Sequence, residues 1–184
     1  MTVRVLATCA LACALLAACG GDEGPGTVHP YDRAPVPAVP DRTHEVPEVG
    51  ALPDGDYWAV ISTVGLAGDP AAGTITLQVS QALFADTCLA ELSEADCDGG
   101  WGVGPTPTRA VEGPVAGLVS ISVAALNRQN YAVPGAELAS LANGATPGAE
   151  APADYAYQPY PFLVNVEAGI VVGLHQVWVE AVVA

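Results

Sequence analysis

Lysine does not occur in this 184-residue chain, and its side-chain cations reduce to five arginines, Arg4, Arg33, Arg42, Arg109 and Arg128, against 20 Asp and Glu. That balance argues against a nucleic-acid partner, because phosphate recognition needs clustered cations that displace counterions. It argues equally against docking on anionic headgroups through a basic surface. Missing lysine also removes any Ser-x-x-Lys nucleophile, and no Gly-x-Ser-x-Gly elbow is present. Histidine is scarce too, with His29, His44 and His175 alone. His44-Glu45-Val46-Pro47-Glu48 lacks the second histidine of a zinc-protease helix, and Pro47 would break that helix. Gly99-Gly100-Trp101-Gly102-Val103-Gly104 is glycine-rich but has neither the lysine nor the following helix of a phosphate loop. No catalytic residue is assigned, no cofactor is expected, and the expected class is non-enzymatic.

No apolar run reaches the roughly 20 residues that a membrane-spanning helix requires. The longest follows the positive start Met1–Arg4 and extends from Val5 to Ala18, which suits the core of an export signal. It ends in Leu16-Ala17-Ala18-Cys19-Gly20, which resembles the lipobox of bacterial lipoproteins. The resemblance implies that residues 1–18 are a signal peptide and that Cys19 becomes a diacylglyceryl-modified N-terminus. The rest of the chain would then be held on the membrane, outside the cytoplasm. Two acyl chains suffice for stable anchoring. Without the signal, the 20 acidic side chains face four arginines. The simplest consequence is a solvated acidic surface that keeps an apolar-rich protein soluble, with capture of a cation or basic partner as the alternative.

Residues 19–53 read as the lipid anchor and a disordered tether. Pro25, Pro30, Pro35, Pro37, Pro40, Pro47 and Pro53 forbid regular helix or central strand, and apolar periodicity is absent. Extended at about 3.1 Å per residue, such a tether would reach roughly 100 Å from the membrane. His29 and His44 fall within it and are expected to be solvated.

Residues 54–184 read as a single β-rich domain opening at the turn Asp54-Gly55-Asp56. Strands are expected over 57–61, 74–80, 118–123, 162–167 and 170–180. In 74–80, Ile75, Leu77 and Val79 alternate with polar residues, the mark of an antiparallel sheet with one wet face. The last two strands read as a hairpin about Ala168-Gly169. A two-residue loop would pair Val166 with Val171. A three-residue loop with Gly169 left-handed in a bulge would pair Val166 with Ile170 and is preferred, because it separates apolar from polar side chains. Short helices are expected within 81–95 and over 134–142, the latter stopped by Asn143-Gly144. The expected fold is mainly β: a compact antiparallel sheet or small open barrel of five to six strands with one or two short helices.

Cys88 and Cys97 are the pair left once Cys19 is lipidated and Cys9 and Cys13 depart with the signal, and an exported domain predicts a disulfide between them. The loop they close contains Glu94, Asp96 and Asp98 at alternate positions before Gly99, which resembles the first half of a calcium-binding EF-hand loop. Carboxylates so spaced make a candidate cation site, although Pro105 stands where that family places its bidentate glutamate. Rigid amphipathic rings in expected loops, Trp101, Tyr155, Tyr157 and Tyr160, make a candidate binding surface.

Asp54-Gly55-Asp56-Tyr57, the 74–79 strand and Pro161–Gly169 are similar to a loose set of small secreted proteins of high-GC bacteria. These share an opening Asp-Gly turn and a closing hairpin; here Ala168 replaces the Asn or Asp usual before the hairpin glycine. The set implies an address and a fold but no mechanism. The expectation is therefore a membrane-anchored binding or accessory domain, with an envelope protein as its partner. The alternative is an ion- or small-ligand-binding lipoprotein that uses the acidic Cys88–Cys97 loop.

Overall fold

A computed structural model describes residues 29–61, 74–114, 118–122 and 128–179. The signal, Cys19 and the outer ends of the strands expected over 118–123 and 170–180 lie outside these residues. In chain order the elements are β1 (Arg33–Ala34), β2 (Gly55–Ile61), β3 (Thr74–Ser80), β4 (Ala82–Phe84), α1 (Ala85–Glu91), a 3-10 segment (Glu94–Gly100), β5 (Trp101–Val103), β6 (Arg109–Pro114), β7 (Leu118–Ser122), β8 (Asn130–Pro134), α2 (Gly135–Ala142), β9 (Phe162–Glu167) and β10 (Ile170–Gln176).

The protein is mainly β. Its main sheet runs β1-β8-β7-β10-β9-β2-β3-β6, and β4 pairs with β5 as a separate ribbon. Every neighbouring pair is antiparallel except β7 and β10, which meet in parallel at Ser120 and His175. The five-strand antiparallel run from β10 to β6 curls until β6 approaches β10. Among the described residues no hydrogen-bonded ladder joins those two strands, so the barrel stays open. The antiparallel run has the expected five strands, and the parallel contact joins β7, β8 and β1 to it. Of these eight, β1, β6 and β8 lack the clean alternation that marks β3.

The continuous apolar run in β2 follows from burial on both faces. Tyr57 and Ala59 enter the main core with Ile75, Leu77, Val79, Phe162, Val164 and Val166. Trp58 points the other way and packs with Ala82, Leu163 and Val177 under the β4–β5 ribbon. Helix α2 contributes Leu138, Ala139 and Leu141 to the main core and ends at Asn143 and Gly144, the latter at φ +83°, as its sequence predicts. Cys88 on α1 and Cys97 in the 3-10 segment form the expected disulfide, and both are buried.

The hairpin differs from the preferred register. Ile170 pairs with Glu167 and Val171 with Val166, so the loop is the two-residue Ala168-Gly169 turn, both residues at positive φ. A bulge at Val172 then shifts the register, pairing Gly173 with Asn165 and Leu174 with Val164. Moving the extra residue from the turn into the strand still separates the faces: Val171 and Leu174 are buried, and His175 aligns with Leu163 on the side opposite Val164. What changes is Ile170 and Val172, both about half exposed instead of inward.

The second correction concerns the tether. From His29 onward the chain lies against the domain as a strap. Tyr31 N–H donates to Ala132 O (2.6 Å), and Ala132 N–H donates to Asp32 O (2.8 Å). Further along, Thr43 N–H donates to Ala82 O (2.9 Å), Ala82 N–H to Thr43 Oγ1 (2.8 Å) and Phe84 N–H to Asp41 O (2.9 Å). Tyr31, Thr43, Val46 and Leu52 are buried. Prolines bar helix and central strand but do not stop an extended chain from burying well-separated apolar side chains. Between the two bonded anchors, residues 35–40 make no backbone–backbone hydrogen bond among the described residues.

Candidate functional site

Three Trp residues and a Phe gather on the strap side of the sheet. Trp58, fully buried on β2, sets the floor, with Phe84 at 5.2 Å edge-on and Trp101 at 5.1 Å between ring centroids. Phe84 ends β4 and Trp101 begins β5, and the two are register partners, so the ribbon holds both rings over Trp58. Across from them, beyond the end of β10, Trp178 carries the Arg128 guanidinium over its ring at 3.3 Å and packs against Tyr160 at 6.3 Å. Between these groups opens a cleft of about 360 Å³, walled by Val39 of the strap, Phe84, Trp101, Arg128, Val177 and Trp178.

Trp101 is held by its neighbours in the glycine-rich stretch. Gly99 and Gly100 turn at φ +75° and +82°. A Cβ on Gly102 would lie 2.3 Å from Asp96 O and 3.1 Å from Cys88 Sγ, so glycine is required for this close backbone approach. The glycines expected to cradle nothing thus have a structural use: they lay β5 against the disulfide-pinned segment and position the indole.

The indole Nε1 atoms of Trp58, Trp101 and Trp178 are buried, and no described residue accepts a hydrogen bond from any of them. What the two wall rings offer the cleft is therefore carbon. Apart from those rings, Arg128 alone among the described lining residues carries a polar side chain.

The four rings expected at the surface do not act together. Trp101 is half-buried in the cleft wall, and Tyr160 touches Trp178 behind it. Tyr155 is instead a core residue, edge-on to Tyr31 at 5.0 Å and to Tyr131 at 6.0 Å, and Tyr157 packs half-buried against the same core. Burial first, then the neighbouring Tyr31 and Glu137, drives the Tyr155 pKa above its ordinary range; burial alone pushes Tyr157 up to about 12. Tyr31 donates to the Glu137 carboxylate, which also accepts from Gly148 N–H at 2.8 Å. An alternating loop sequence revealed none of this, because the 144–161 segment folds back over the end of the main core.

The acidic loop is not gathered into a cation site. Glu94, Asp96 and Asp98 are all exposed, and among the described residues no three His, Cys, Asp or Glu side chains converge. Asp96 accepts from Ser93 Oγ at 2.5 Å, while Ser93 Oγ accepts from Asp96 N–H at 3.3 Å. These contacts cap the 3-10 turn, and Asp98 sits in an extended conformation beyond its kink.

His175 is half-buried, with its pKa lowered by burial and partly restored by the charge of Asp56. Asn165 donates to Asp56 Oδ1 at 3.1 Å, and Asp56 N–H donates to His44 Nδ1 at 3.3 Å. His44 also packs on Tyr57 at 5.7 Å and is thus part of the folded unit, although exposed. A second cleft, about 270 Å³, lies where β6 faces the β9–β10 turn; there Arg109 donates to Pro47 O at 3.1 Å.

Sequence reasoning missed Trp178, Arg128, Phe84 and Val39. Trp178 falls within the strand expected over 170–180, beyond the end of β10, and the other three carry no local signal, since strap and ribbon meet only through the fold. No protein-family model, curated protein or solved structure matches the chain.

Proposed function

We propose that the protein is a lipid-anchored binding module on the outer side of the cytoplasmic membrane, which holds a partner protein of the envelope in its aromatic cleft and does no chemistry on it. The carrying observation is the cleft itself, in which Trp101 and Trp178 present ring carbon to solvent across about 360 Å³. Half-exposed aromatic anchors around an apolar floor are the feature that most often dominates protein recognition. The address rests on the Leu16–Gly20 lipobox and the apolar run before it.

Two experiments in cells test this. Cys19→Ala, with the lipid attachment point removed, is expected to move the protein out of the membrane fraction; unchanged fractionation would refute the anchor. A photo-crosslinking side chain at Val179, beside the cleft, is expected to capture one reproducible envelope protein, and Trp178→Ala is expected to abolish that adduct. An adduct indifferent to Trp178→Ala would place recognition elsewhere.

A further inference from the structure

We propose that the cleft takes an extended, proline-rich segment of the partner, laid in polyproline II conformation beside the strap. This rests on the binding reading above and names the class of ligand.

The chemistry of the walls narrows the candidates. A sugar needs several donors and acceptors for its hydroxyls, and the cleft sets one guanidinium and buried indole N–H groups against them. A cationic ligand would meet the Arg128 guanidinium stacked on Trp178, and no described lining residue carries a carboxylate. A strand would bring backbone groups seeking an edge, and the walls are side chains rather than a free sheet edge. A polyproline II segment has no internal hydrogen bonds and keeps its carbonyls in water, so it needs apolar rings and little else. Its conformation is also largely fixed before binding, which lowers the entropy lost on docking.

One wall of the cleft is itself part of a proline-rich segment. The strap sequence Pro35-Val36-Pro37-Ala38-Val39-Pro40 is uncharged and makes no backbone–backbone bonds among the described residues. Its Val39 packs against the cluster that contains Trp58, Phe84 and Trp101, and forms one wall of the cleft. One proline-rich stretch thus lies along one edge of this ring surface, and the cleft continues the same surface across to Trp178. An uncharged ligand also avoids the repulsion that an acidic segment would meet from this acidic chain.

The test uses the chain from residue 19 onward with Cys19→Ser, so that no lipid competes. The probe is a synthetic 12-residue peptide that repeats the 35–40 sequence twice. Titration is followed by tryptophan fluorescence and by the indole N–H resonances. The expected result is saturable binding that perturbs Trp101 and Trp178, weakened at least about thirtyfold by Trp178→Ala, as for a central aromatic anchor. Val179→Asp at the rim, which leaves the rings in place, is expected to weaken it as well and covers the case in which Trp178→Ala does not fold. Equal binding of a peptide with every proline changed to alanine would overturn the proposal. So would a spectral shift with phosphatidylcholine–phosphatidylglycerol vesicles and none with the peptide, which would make the cleft a membrane contact. If no peptide binds while the cellular adduct still depends on Trp178, the ligand class is wrong and the binding reading stands; loss of both overturns both.

Discussion

At the scale of single residues, one histidine and two tyrosines respond oppositely to titration. Burial disfavours the charged form of His175, so the unfolded chain takes up the proton more readily than the folded one. The stability this histidine confers is full above its ordinary pKa of 6.5 and is lost as pH falls through that value towards the lower folded one. Urea denaturation at pH 7.5 and 5.5 is expected to show a lower midpoint at the acid value, and His175→Gln is expected to shrink the difference. The tyrosines act at the other end. With Tyr157 raised to about 12, and Tyr155 also raised, by burial first and then by Tyr31 and Glu137, stability is present below pH 10 and lost as alkali forces ionisation. Their hydroxyls also differ in partners. Tyr31→Phe removes the donor to Glu137 and is expected to cost about 1–2 kcal/mol. No described residue pairs with the Tyr155 hydroxyl, so Tyr155→Phe is expected to leave the thermal midpoint unchanged or raise it. Little of this was legible in advance: Tyr155 sits in a Pro/Gly/Ala-rich stretch whose composition reads as loop, and burial there depends on contacts with Tyr31, over a hundred positions away.

At the scale of elements, the hairpin shows what periodicity can and cannot supply. The alternation in 162–167 and 170–176 was enough to predict the two strands and the separation of Val164 from His175. It could not decide where the extra residue sits, because a bulge in the turn and a bulge at Val172 leave Leu174 on the same face. The structure places Ala168 at φ +50° and Gly169 at φ +73°, so an alanine occupies a left-handed position that L residues resist by about 1–2 kcal/mol. Ala168→Asn, which tolerates that conformation and makes the favoured Asn-Gly turn, is expected to raise the thermal midpoint by a few degrees. Gly169→Ala is expected to lower it. The strap departs from expectation for a different reason. Its proline content reads as disorder, whereas Tyr31, Val46 and Leu52 are spaced too irregularly to form a pattern and are nonetheless buried.

At the scale of the whole molecule, the disulfide links stability to the cleft. Cys88 and Cys97 pin α1 to the 3-10 segment, and Trp101 follows that segment directly. The double variant Cys88→Ala/Cys97→Ala is expected to lose up to about 2.7 kcal/mol from chain entropy. It is also expected to lose ordering of the cleft wall, seen as a change in tryptophan emission before global unfolding. An unchanged emission spectrum would mean that Gly102 packing alone positions the ring. The antiparallel sheet, the short helices and this disulfide were predictable from alternation, the Asn143-Gly144 stop and cysteine count. The cleft was not, since its walls come from strap, ribbon and C-terminal segment.

The strap also changes the mechanics of any anchor at Cys19. The strap is tied to the domain at Tyr31, and the eleven residues between it and Cys19 can span no more than about 40 Å even fully extended. A leash that short is comparable to the width of a domain of this size. A protein so anchored cannot sweep a deep layer of the envelope for its target. Its encounters become a search in two dimensions, and any partner must itself present the docking segment within a few nanometres of the bilayer.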